Sequence, residues 1–137
     1  MTTPRHVRAI ALTIVARAME LGLPPDRLLL DPIVLPVSAA QDQSAAALKA
    51  IGMFMSLSEP PPRTIVGLSN VSQGTTQRSL VNRTYLVMAM AAGLDAAILD
   101  PFDHELMDAL RTAGILLNQE IYAENYLDSG SAVPVRA

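Results

Sequence analysis

Two Asp-Pro pairs, Asp31-Pro32 and Asp100-Pro101, each follow a short apolar run, and the stretch Gly67-Leu68-Ser69-Asn70-Val71-Ser72-Gln73 closes a third. A carboxylate at a strand end can accept hydrogen bonds from ring N–H and amino groups of a ligand, or it can cap the backbone of the turn that Pro opens. On residue type alone both readings stay open for each Asp. A Gly at a strand end lets a flat molecule approach the backbone, and an Asn amide offers both a donor and an acceptor. That chemistry suits a heterocycle; an ordinary polar loop is the competing reading, and composition by itself favours it. His6 and His104 lie far apart without metal-ligand spacing, so no metal site is expected. There is no Gly-rich phosphate loop, no Ser-centred nucleophile elbow and no His-Glu zinc helix. The chain has no Cys, which removes disulfides and thiol nucleophiles.

The elements that carry these residues follow from periodicity and punctuation. Val7, Ile10, Ala11, Ile14, Val15 and Ala18 fall on one helical face, which predicts a helix over 4–20, closed by Gly22 and Pro24. The same start resembles a signal peptide, with Arg5 and Arg8 before an apolar stretch, but the amphipathic spacing favours the helix. Further helices are expected over about 42–57, 79–92 and 105–122, with Pro60-Pro61-Pro62 and Gly93 as stops. Strands are expected at 28–30, 64–68 and 96–99, and a loose tail from 128 on. Met53, Met55, Met88 and Met90 read as core fillers.

The order α-βα-βα-βα is that of a parallel sheet with right-handed crossovers. In such folds ligands lie beyond the carboxyl ends of the strands, where Asp31, Ser69, Asn70 and Asp100 all fall. The 137 residues make one domain, expected over 1–127, whereas a full (β/α)₈ barrel needs roughly 200 residues or more. Three strands cannot close a barrel, so one sheet face and two edges are left over. Either the chain is part of a longer barrel, or something pairs with it.

Composition narrows the partners. Lys and Arg number 10 against 13 Asp and Glu, a net charge of −3 with no basic segment, which argues against nucleic acid or an anionic membrane surface. Half the residues are hydrophobic and 17% are charged, so the chain is no disordered segment. No apolar run reaches the roughly 18 residues of a spanning helix, and a cytoplasmic location is expected.

Four stretches carry a resemblance: Leu30-Asp31-Pro32-Ile33-Val34-Leu35-Pro36-Val37, Gly67-Leu68-Ser69-Asn70-Val71-Ser72, Asn82-Arg83-Thr84-Tyr85-Leu86, and the run from Met88 through Ala92-Gly93-Leu94-Asp95 to Leu99-Asp100. In this order they resemble the methyltetrahydrofolate:corrinoid (corrinoid/iron-sulfur protein) methyltransferases, from about the first helix to Tyr126. The resemblance implies a partial TIM-type (β/α)₈ barrel, the last three βα units preceded by a helix. It implies methyltetrahydrofolate as substrate and a cobalamin-type corrinoid on a partner protein as methyl acceptor. It makes Asp31 the carboxylate that holds the pterin ring, Asn70 the catalytic residue at N5, and Gly67 and Ser69 the floor of the same pocket. Gln73 and Arg78 would face the folate tail or the corrinoid.

The family places a further Asp and Asn on earlier strands that these residues do not include. The isolated chain is therefore expected to bind folate poorly, and to need either an N-terminal half-barrel or a homo-oligomer. A homodimer would duplicate the Asp31 and Asn70 rim without restoring the absent ligands. A non-catalytic half-barrel subunit is the alternative reading outside enzymology. Dihydropteroate synthase shares the pterin barrel and the Asp-Pro, but its pattern has Gly after that Pro and an Arg-x-His on the last strand. Here Ile33 follows Pro32, and the last strand reads Ala96-Ala97-Ile98-Leu99-Asp100.

Overall fold

The computed structural model describes residues 3–128 and 133–134. Helix α1 (Pro4–Glu20) opens with Thr3, whose hydroxyl accepts from the His6 amide, and has Pro4 in its first turn. Strand β1 is Leu29–Leu30, followed by α2 (Gln41–Phe54) and β2 (Arg63–Gly67). A 3₁₀ turn (Leu68–Ser72) leads to α3 (Arg78–Ala92), β3 (Ala96–Ile98) and α4 (His104–Leu116). The expected order is present, with differences at the helix ends.

Three helices end in the same device. After α1 the Gly22 and Leu23 amides donate back to Met19 and Ala18, and after α3 Gly93 and Leu94 donate to Met90 and Ala89. Gly22 and Gly93 sit at φ 83° and 109°, the left-handed region this closure requires. Helix α4 closes likewise on Asn118 at φ 59°, with Gln119 donating to Gly114 at 2.7 Å. The expected helix to residue 122 therefore stops at Leu116, although the apolar spacing runs on through Ile121 and Tyr122. Glu120–Ile121 (β4) pairs antiparallel with Val133–Pro134 (β5). That pairing places two residues of the expected loose tail in a ladder, and the rest of the tail from residue 129 lies outside the described residues. Helix α2 also stops early, at Phe54, and Leu57 is buried by the turn that follows.

The sheet order is β1-β2-β3, all parallel. Successive helices pack against one another, α1 on α2, α2 on α3 and α3 on α4. They cover one sheet face. On that side Val66 and Thr64 are fully buried, and Leu30, Val34, Ile51, Phe54, Leu68, Leu86 and Leu106 fill two adjoining cores. Tyr85 clamps α3 to α2 by donating to the Ser44 carbonyl at 2.9 Å, and burial pushes its phenol up to about 12.

Among the described residues no element covers the opposite face. Residues in register share a face, so Leu29 with Arg63, Ile65 with Ala96, and Gly67 with Ile98 line it. Leu29 is 53% exposed and Ile98 70% exposed. Among the described residues no helix is long and apolar enough to cross a membrane.

Candidate functional site

Asp31 is the first residue beyond the Leu30–Thr64 pair and, alternating with buried Leu30, points to the bare face. Its Oδ1 accepts from the Ile33 amide at 2.8 Å, which fixes the carboxylate. Its second oxygen meets no donor among the described residues. Ile33 takes φ 62°, an uncommon conformation for a β-branched residue, and its side chain is left exposed on the rim. Asp100 repeats the arrangement at the end of β3, with Oδ1 accepting from the Phe102 amide at 2.9 Å. Each Asp is therefore a cap through one oxygen and available through the other.

Asn70 stands exposed in the turn after β2 and makes no side-chain hydrogen bond with another described residue. A Cβ added at Gly67 would lie 3.4 Å from its Nδ2, so the amide sits over the glycine at the strand end. The turn itself is tied down from several sides. Arg78 donates from Nε to the Ser72 hydroxyl and from a terminal nitrogen to the Ser69 carbonyl, both at 3.1 Å. The buried Ser72 hydroxyl donates to the same carbonyl, and Thr75 donates to the Ser72 carbonyl at 2.8 Å. The loop after β1 is sewn to this turn: the Val37 amide donates to Val71 at 2.9 Å, and the Ser38 hydroxyl to the Gln73 carbonyl at 2.8 Å.

Asp31, Gly67, Ser69 and Asn70 are thus gathered at the carboxyl ends of two paired strands, with Asp100 on the third. Gln73 is exposed beside them with an unengaged side chain, whereas Arg78 directs two of its nitrogens into the turn. Arg78 accordingly holds Asn70's turn in place, a role its sequence position did not signal. Ser38 was also missed; it is 35 residues from its partner, and no local pattern reports such a bond. Behind the rim, Ser79 donates to Asp103 at 2.8 Å and Arg83 meets Glu105 at 2.7 Å, joining the starts of α3 and α4. The Leu106 amide, then the Ser79 hydroxyl, with nearby Arg83 and His104, hold the Asp103 carboxyl below its usual value. His6 and His104 belong to different helices, α1 and α4.

The sequence profile of the family described as pterin binding enzyme matches residues 2–100, which takes in β1 to β3 and the whole Asp31–Asn70 rim. The chain belongs to the pterin-binding enzyme family. A methylcorrinoid:tetrahydrofolate methyltransferase of Eubacterium limosum is 29% identical over 126 residues. The match covers 90% of this chain and 46% of that protein, so the chain spans about half the length of the relative it matches.

Proposed function

We propose that this chain supplies the final βα units of a pterin-binding barrel in which a methyl group passes between N5 of a tetrahydrofolate and the cobalt of a corrinoid on a partner protein. The observation that supports it most directly is the convergence of a half-free Asp31 carboxylate and an unengaged Asn70 amide on the bare face, within the stretch matched by the family. Sequential strand order with helices on one face is the arrangement of a barrel arc.

Asp31 would accept from the pterin's ring N–H and amino groups, its orientation already set by the Ile33 amide. Positioning of this kind contributes several kcal/mol to a bimolecular step. Asn70 would meet N5. When the methyl leaves, its Nδ2 donates to the nitrogen on which electron density builds. In the opposite sense, which the relative's name gives, its Oδ1 accepts from an N5–H while the nitrogen lone pair acts. An amide serves both directions, but it does not titrate usefully, so water carries the proton. The corrinoid cobalt supplies the methyl acceptor or donor. Ser69 and Asn70 are exposed, which fits a large planar group arriving from outside, and Gln73, exposed beside them, would meet it or the folate tail.

The test is methyl transfer with tetrahydrofolate and methylcobalamin in the assembled barrel. Asn70→Ala should lower turnover by about 10² to 10³, the scale for losing one positioned donor, with folate still bound. Equal turnover in the variant would remove Asn70 from the mechanism, and condensation of a pterin with p-aminobenzoate would move the chain to the synthase branch.

A further inference from the structure

Among the described residues Gly22, Gly74, Gly93, Asn118 and Ile33 take positive φ. Glycine adopts that region freely and asparagine tolerates it, whereas a β-branched side chain is disfavoured there. Ile33, at φ 62°, is the exception that needs a reason. Burial does not supply one, because its side chain is 70% exposed. The turn does not require it either. Phe102 donates the same hydrogen bond to Asp100, at 2.9 Å against 2.8 Å from Ile33 to Asp31, without a positive φ. The cap can therefore be made without left-handed backbone, and a glycine at position 33 would make it with less strain. What isoleucine adds is its side chain.

That side chain shares a concavity with the Asp31 carboxylate. Asp31, Ile33 and Leu35 are exposed while Pro32 and Val34 between them are buried, and the three exposed residues line the same hollow. Residues held in sparsely populated backbone conformations cluster at ligand clamps, where the strain fixes a side chain for its partner. We propose that Ile33 is a substrate-binding residue, whose side chain covers one face of the pterin ring that Asp31 holds by its edge and keeps water from their hydrogen bonds. The inference rests on the pterin reading above.

The chemistry of the ring favours this contact. A carboxylate takes ring N–H and amino groups in the plane of the ring, which leaves the two faces without polar partners. An aliphatic group laid on a face removes apolar surface from water, and hydrogen bonds in the drier surrounding are stronger. Because Ile33 is two residues from Asp31, it meets the ring and not the folate tail.

The test is calorimetric binding to the assembled barrel of two ligands, tetrahydrofolate and tetrahydropterin, the second of which lacks the tail. Ile33→Gly should weaken both about tenfold, the scale for losing a partly buried aliphatic contact. It should not lower the thermal midpoint of the chain, since relief of the left-handed strain offsets glycine's freedom in the unfolded state. Ile33→Ala, which keeps a Cβ, should weaken both ligands by a similar factor, with Ile33→Val between it and the parent. A lower midpoint in Ile33→Gly would make the side chain a structural support, and a loss confined to tetrahydrofolate would place it on the tail; either overturns the inference. Unchanged binding in the Ile33 variants, with Asp31→Asn weakened, would overturn it and leave the pterin reading intact. A parent protein that binds neither ligand would overturn both.

Discussion

Asp31 divides its oxygens between backbone and solvent, and this lets its two roles be separated by one atom. Asp31→Asn keeps an oxygen for the Ile33 amide, so the turn survives, but turns an NH₂ toward the place where ligand donors should meet an acceptor. In the assembled protein we expect an unchanged thermal midpoint with KM for tetrahydrofolate raised about 10- to 100-fold, the cost of leaving donors unpaired. A lowered midpoint at normal KM would make the residue a cap alone. Arg78 gives the complementary case. Arg78→Ala frees the Ser69 carbonyl and Ser72 hydroxyl, loosening the turn that carries Asn70. Turnover should fall while KM changes little, and Arg78→Lys, a point charge without the planar fork, should restore little of it.

At the scale of elements, the closures decide where the chain turns. Gly93 stands at φ 109°, and a Cβ there would come to 2.5 Å from Met55 Sδ. Gly93→Ala is expected to cost at least about 1–2 kcal/mol from the backbone alone, read by chemical denaturation. Asp103 caps α4, and a cap of this kind contributes about 1 kcal/mol. Its carboxyl is held below the ordinary value of 3.8, so its contribution is present above that pH and is lost as pH falls further. The stability gap between the parent and Asp103→Ala should accordingly be full at neutral pH and shrink below pH 3.8.

The same closures show why some of the fold was legible and some not. Glycines announce a left-handed residue, so the ends of α1 and α3 could be read directly. Asn118 does the same job with a residue that is also common on helix surfaces, and the continuing apolar spacing of Ile121 and Tyr122 concealed it. Asp31 and Asn70 were visible as types at strand ends, yet their convergence depends on parallel pairing and on the Val37–Val71 and Ser38–Gln73 bonds, which join segments more than thirty residues apart. Residue type proposes a site; register assembles it.

Taken whole, the molecule has an inside without an outside. Leu29 and Ile98 lie on a sheet face that no element among the described residues covers, and Phe102 on the rim is 83% exposed. The chain alone should bind a hydrophobic dye in its native state. Ile98→Asp should reduce that dye binding while changing stability by no more than about 0.5 kcal/mol, because the side chain is already in water. Dye binding that persists undiminished in the variant would place the sticky surface elsewhere.

The uncovered face also has a bearing on the cell. Chaperones and proteases survey exposed hydrophobic surface, and they would treat a copy with this face uncovered as they treat an unfinished chain. Abundance would then follow whatever covers the sheet, so that transcript level would be a poor guide to how much of this polypeptide persists.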